Sequence, residues 1–149
     1  MSEIIVYTDG GSRGNGSLDS IGGWGALLQY GEIKKELYGG EKGASNNQME
    51  LTGVIKALEA VHTRDTPIRI YADSAYVVNG INQWVAGWKK KGWRKADKKP
   101  ILNLDLWKRL DELVSLQSDI EILKIKGHAG HEGNERADAL ANLGMDEVI

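Results

Sequence analysis

Four acids stand in four separate segments of the chain: Asp9 in "YTDGG", Glu50 in "NQMEL", Asp73 in "YADS" and Asp138 in "ERAD". Singly, each reads as a solvated or capping residue, and Asp-Gly is an ordinary turn signal. Jointly they point to metal chemistry. The chain has no cysteine and only three histidines, so carboxylates are the main groups able to hold a cation. Carboxylate oxygens with retained waters suit Mg²⁺ and Mn²⁺, and acids crowded together repel unless cations neutralise them. His128 and His131 lie in "KGHAGHEGNERAD", a glycine-rich loop able to carry a titrating imidazole over a reaction centre. His128 takes that role here. His131 reads equally as an exposed loop residue, and His62 as a helix-end residue favoured by the dipole. Asp19, Glu132 and Glu135 compete for minor roles.

A second feature is a charge asymmetry. "GWKKKGWRKADKKP", Gly87–Pro100, gathers seven basic residues and two tryptophans against one acid, in a chain of net charge −2. The acidic body therefore carries one strongly basic segment, which suits a protein that grips a polyanion in one place. A solvated charged loop is the plainer alternative for the lysines alone.

The elements that must position these residues follow from pattern and punctuation. "EIIVYTDGG" (Glu3–Gly11) is β-branched and ends in a turn signal, so it reads as a strand with Asp9 near its end. "GGWGALLQY" and "IKKELYGGE" follow, the two joined around Gly31-Glu32, as an antiparallel meander. The period then changes to a helix in "SNNQMELTGVIKALEAV", with Met49 or Leu51, Val54, Ile55, Leu58 and Val61 on one face and Ser45-x-x-Gln48 as a capping box. "PIRIYAD" (Pro67–Asp73) is a fourth strand that Asp73 closes, and "SAYVVNGINQWV" forms one or two short helices. "NLDLWKRLDELVSL" is amphipathic, "DIEILKIKG" is a fifth strand, and "EGNERADALANLG" is a closing helix that Gly144 stops. Asp138 shares a side of that helix with Asn134.

The order βββαβα(α)αβα predicts an α/β fold: one mixed five-stranded sheet, three antiparallel strands then two parallel, with helices on both faces. At 149 residues it reads as a single domain, 1–149, with a basic protrusion at about 84–100. Neither a secretory leader nor a membrane span is expected from the sequence, so a soluble, cytoplasmic protein is the default.

In this order, "YTDGGSRGNG", "NNQMEL", "YADSAYV", "WKKKGWRKADKKPILNLDLW" and "KGHAGHEGNERAD" resemble the motifs of bacterial-type ribonuclease HI over nearly the whole chain. The resemblance implies an endonuclease that hydrolyses the RNA strand of RNA–DNA hybrids and leaves 5′-phosphate and 3′-hydroxyl ends. It implies Asp9, Glu50, Asp73 and Asp138 as ligands of two Mg²⁺ ions, with Mn²⁺ a possible substitute. Two such ions roughly 3.5–4 Å apart activate the water and relieve charge on the leaving oxygen. Asp9 is expected to bridge them, Glu50 and Asp73 to hold the leaving-group ion, and Asp138 the water-activating ion. His128 would assist proton transfer or product release.

Hybrid selectivity implies a reading of 2′-hydroxyls in a wide minor groove, for which Asn15, Asn46 and Gln48 are suitable, with Asn134 beside them. Lys89, Lys90, Lys91, Arg94, Lys95, Lys98 and Lys99 would track DNA phosphates. Trp84, Trp88 and Trp93 would stack on or pack beneath the sugars, with helix packing as the alternative for one or two of them; Trp107 reads as packing. The expected partner is the hybrid duplex, with no membrane and no obligate protein partner, and the expected state is a monomer. Three departures from the family pattern, a longer proline-free turn after Asn15, Gln48 in place of Arg, and Ala75 in place of Gln, imply weaker substrate affinity with catalysis retained. Other readings fit less well. In a non-cutting binding module, four unneutralised acids would hinder a phosphate. A nucleotide-cradling kinase-like enzyme needs two domains, and junction resolvases lack "WKKKGW".

Overall fold

The computed structural model describes residues 2–14, 18–95, 99–125 and 132–148. Strands β1 (Ile4–Arg13), β2 (Ile21–Tyr30) and β3 (Ile33–Lys42) form the meander, followed by α1 (Asn46–Glu59) and β4 (Ile68–Ala72). Then come α2 (Ala75–Asn79), a π-helical turn (Gly80–Trp84), α3 (Val85–Lys90), α4 (Leu104–Ser115), β5 (Ile120–Lys124) and α5 (Glu132–Asp146). The strands order as β3-β2-β1-β4-β5, antiparallel across β3-β2-β1 and parallel across β1-β4-β5. This is the mixed sheet the sequence predicts. No helix among the described residues is long and apolar enough to cross a membrane.

Local chemistry explains the elements. Tyr30 pairs with Ile33, so Gly31-Glu32 is a two-residue hairpin loop. The capping box at α1 is complete: the Ser45 hydroxyl accepts from the Gln48 backbone N–H, and the Gln48 side-chain carbonyl accepts from the Ser45 N–H. Both Met49 and Leu51 are buried, along with Val54, Ile55 and Leu58. Leu51, Val54, Ile55 and Leu58 meet Val6, Ile68, Ile70 and Ile122 of the sheet and Trp107 and Leu110 of α4 in one core cluster. The segment expected as one or two short helices is continuous but carries a wide turn in its middle, closed by the Val85 N–H donating to the Gly80 carbonyl. The indole of Trp107 lies against Gly80, where any Cβ would stand 2.0 Å from the ring.

Two expectations are corrected. Asp9 is not near the end of β1, which runs on to Arg13 paired with β2. What ends beside Asp9 is the other pairing, since β4 stays with β1 only to Thr8↔Ala72. Gly144 does not stop α5, which continues to Asp146. The glycine serves close approach instead, because a Cβ there would sit 2.0 Å from the Gly39 carbonyl oxygen of β3. Gly25 of β2 has the same role one strand inward, where a Cβ would meet the Ala137 carbonyl at 2.4 Å. α5 thus rests its backbone on the sheet opposite α1.

This packing yields a test. Alanine has about 1 kcal/mol better helix propensity than glycine, yet overpacking costs about 1–3 kcal/mol. Gly144→Ala is therefore expected to lower stability in urea denaturation, whereas a helical Gly→Ala change in open space would raise it.

Candidate active site

The sheet places the first acid. On β1 the even residues face α1 and the odd ones α5: a Cβ at Gly10 would collide with the Met49 and Glu50 backbone, whereas Gly11 looks toward Met145. Asp9 therefore projects to the α5 side of a central strand, at the point where β4 has diverged. Its Oδ1 accepts the Gly10 N–H at 2.9 Å. Because Gly10 lets α1 touch β1, Glu50 in the first turns of α1 comes within reach of the same carboxylate.

The electrostatics record the crowding. Burial pushes the Asp9 carboxyl up to about 7, with further increments from a shared hydrogen bond and repulsion with Asp138; the Gly10 N–H and Glu50 oppose this. Burial and the neighbouring Asp9 push Glu50 up to about 9, and repulsion from Asp73 adds to the rise. The contact between the two carboxyls raises Glu50, the more strongly shifted of the pair. The remaining Glu50 oxygen, Oε2, is buried with no hydrogen-bond partner.

Asp73 follows β4 directly and precedes Ser74, whose hydroxyl caps α2 by accepting from the Val77 N–H. Asp138 sits exposed on α5, close enough to hydrogen-bond Asp9. All four acids thus belong to one neighbourhood, linked pairwise as Asp138–Asp9–Glu50–Asp73. Among the described residues, no three Asp, Glu or His side chains already enclose a point suited to a metal ion. The donor set nevertheless fits hard divalent cations. It is all oxygen, its two most buried members are pushed above the ordinary carboxylate range, and one oxygen lacks any partner.

The other expected residues divide. Asn46 is exposed at the start of α1. Gln48 has its side-chain carbonyl held 2.7 Å from the Ser45 nitrogen, which fixes the amide so that its NH₂ is the end free to donate. Asn134, on α5 one turn before Asp138, is buried at 7% exposure. Asn15, His128, His131 and Lys98 lie outside the described residues.

In the protrusion, Trp107 is fully buried, the packing role expected of it. Trp84 and Trp88 gather around it at ring distances of 6.2 and 5.6 Å, with Trp84 37% exposed. Trp93 turns inward against the core in a left-handed conformation (φ 65°), its N–H bonded to the Trp88 carbonyl and its ring lying under Lys108. Lys90, Lys91, Arg94 and Lys95 are exposed and, among the described residues, make no ion pair, whereas Lys89 is paired with Asp111 at 3.1 Å.

Sequence reasoning missed Tyr76. Its hydroxyl accepts from both Trp107 Nε1 and Asn103 Nδ2 at 3.1 Å, and its ring stands 5.8 Å from that of Trp84. Three residues after Asp73, it ties the acidic cluster to the aromatic base of the protrusion. Its place inside "YADSAYV" was the available signal. A groove of about 610 Å³ opens there, lined by Tyr76, Trp84, Trp88, Lys91 and Lys95 among others.

Comparison with known proteins matches this arrangement. A family model described as RNase H covers residues 1–146. A protein named Ribonuclease H from Ruthia magnifica subsp. Calyptogena magnifica is 51% identical over 148 residues, 99% of each chain. Another of that name from Alcanivorax borkumensis is 53% identical, spanning 99% of this chain and 95% of its own. Among solved structures, LC9-RNase H1, a type 1 RNase H with the type 2 active-site motif, superposes with TM-score 0.85 at 30% identity. The match covers 98% of this chain and 73% of that one.

The raised carboxyls set a pH dependence. Both native values lie above the ordinary carboxylate range, so between about pH 5 and pH 9 the folded chain binds more protons than the unfolded one. With chelator present, stability is expected to fall as pH rises through that window. Asp9→Asn should flatten the decline in thermal denaturation series.

Proposed function

The chain belongs to the RNase H family, and on that premise we propose that it is a metal-dependent endonuclease hydrolysing the RNA strand of RNA–DNA hybrids to 5′-phosphate and 3′-hydroxyl ends. The observation that carries this reading is the buried, partnerless oxygen of Glu50, packed beside Asp9 where burial and neighbouring acids raise both carboxyls. Asp9, Glu50, Asp73 and Asp138 would hold two Mg²⁺ ions, with Mn²⁺ a possible substitute. When bound, these supply a water of lowered pKa and charge relief at the phosphate and the leaving 3′-oxygen.

The chain's own residues do the rest. Asp9, on the central strand with its carboxylate held by the Gly10 N–H, would be the ligand common to both ions. Glu50, reaching in from the opposite face of the sheet beside Asp73, would give up its proton to act as a ligand. His128 would assist proton transfer or product release. The fixed Gln48 NH₂ and Asn46 at the start of α1 would donate to minor-groove acceptors and 2′-oxygens. Across the Tyr76 hub, the groove beside Trp84 and Trp88 would take the DNA strand's sugars, with Lys90, Lys91 and Lys95 on its phosphates. A protein acting alone as a monomer suffices for this chemistry.

Incubation with Mg²⁺ and labelled DNA–DNA, RNA–RNA, RNA–DNA and single-stranded RNA should give cleavage of the hybrid's RNA only. Cutting of every substrate would contradict the selectivity. Asp9→Asn should lower kcat by at least about a hundredfold, more than the loss of an outer-shell partner produces. Neutralising Lys90 and Lys91 should raise KM several-fold with kcat nearly kept, and a loss confined to kcat would refute their role.

A further inference from the structure

The three consecutive lysines of the basic segment are not equivalent. Lys89 and Lys90 close α3 and Lys91 lies just past it, and successive helical residues turn by about 100°, so the three leave the backbone in different directions. Here Lys89 meets α4, its ammonium 3.1 Å and 3.4 Å from the two oxygens of Asp111. Asp111 is the more enclosed partner, with 20% of its side chain exposed against 48% for Lys89. The nearby cations of α4 are otherwise engaged: Arg109 pairs with Glu59 and Glu112, and Lys108 lies over the Trp93 ring. Lys89 is thus the cation that Asp111 holds, whereas Lys90, Lys91 and Lys95 of the same segment are exposed and, among the described residues, make no ion pair.

The geometry points to Asp111 as a built-in competitor for nucleic-acid phosphate, which holds Lys89 on α4 and so sets how tightly the basic segment grips a hybrid. This rests on the function proposed above. A phosphodiester and the Asp111 carboxylate offer the ammonium the same kind of oxygen anion, so Lys89 serves one only by leaving the other. An exposed ion pair is weak enough to be broken by a ligand and strong enough to reduce that ligand's affinity by about 1.5- to 5-fold. Asp111 touches no substrate in this account. It acts through Lys89, restraining affinity for the many duplexes that a sequence-independent nuclease meets.

The experiment measures binding of a fluorescent RNA–DNA hybrid by anisotropy in EDTA, from 20 to 200 mM NaCl. It compares the parent with Asp111→Asn, Asp105→Asn, Lys89→Gln and the double variant Lys89→Gln/Asp111→Asn. Asp105 is an exposed acid of the same helix, and its replacement reports the general effect of one fewer negative charge. Asp111→Asn is expected to tighten binding by about 1.5- to 5-fold beyond Asp105→Asn. The salt slope should steepen by up to about 0.9, the value for one added phosphate contact. In the Lys89→Gln background the gain should vanish. Equal effects of Asp111→Asn and Asp105→Asn, or a gain that survives Lys89→Gln, would overturn the inference while leaving the parent's hybrid binding intact. A parent with no salt-dependent hybrid binding would instead bring down the functional reading and this inference together.

Discussion

Burial and mutual repulsion at Asp9 and Glu50 are the constraint on which the rest of the site depends. A carboxylate on a central strand and another on the helix packed across it are pressed together with Asp138 close by, and both are pushed well above the ordinary carboxylate range. A protein gains nothing in stability from such an arrangement. Protons relieve it in the metal-free chain, and the proposed cations would relieve it in the working one. The partnerless Glu50 oxygen belongs to the same logic, since a buried acceptor left unsatisfied costs about 1–3 kcal/mol unless a ligand claims it.

The fold supplies that pressure through backbone proximity. Gly10 brings α1 down onto β1, while Gly25 and Gly144 bring α5 down from the other side, so acids from both layers reach one strand. The early end of the β1–β4 pairing opens the space into which they point and delivers Asp73. From there Tyr76 carries the framework outward, its hydroxyl anchoring Trp107 and Asn103 and its ring meeting Trp84. The four acids and the basic segment therefore share one aromatic connection, which the proposed nuclease needs if gripping a duplex is to place a phosphate beside the acids.

Much of this was legible in the sequence. Period and punctuation predicted the five strands, their mixed order and the capped α1, because hydrophobic alternation and the Ser45–Gln48 box are local signals. Asp9 and Asp73 were read near strand ends, Glu50 in the first turns of α1 and Asp138 inside the last helix, and the structure brings all four into one neighbourhood. What escaped the sequence was set by tertiary contact. Gly144 looked like a helix stop because a glycine's reason for being there, the Gly39 carbonyl, lies about a hundred residues away. Whether Trp93 stacks on sugars or packs inward was open in the sequence, and its partly buried ring packs against the core with Lys108 over it. Asn134 shared a helix side with Asp138, but lies on the border that faces the sheet. Lys89 was indistinguishable from Lys90 and Lys91 until α4 placed Asp111 against it.

The most direct measurement is titration calorimetry of Mg²⁺ into the metal-free protein at pH 7.5, repeated in buffers of different ionisation enthalpy. If cations replace protons on the crowded acids, loading should release roughly one proton per chain, chiefly from Glu50. In Asp9→Asn, both the binding and the release should be sharply reduced. Binding with no proton release, or binding unchanged in Asp9→Asn, would contradict the account.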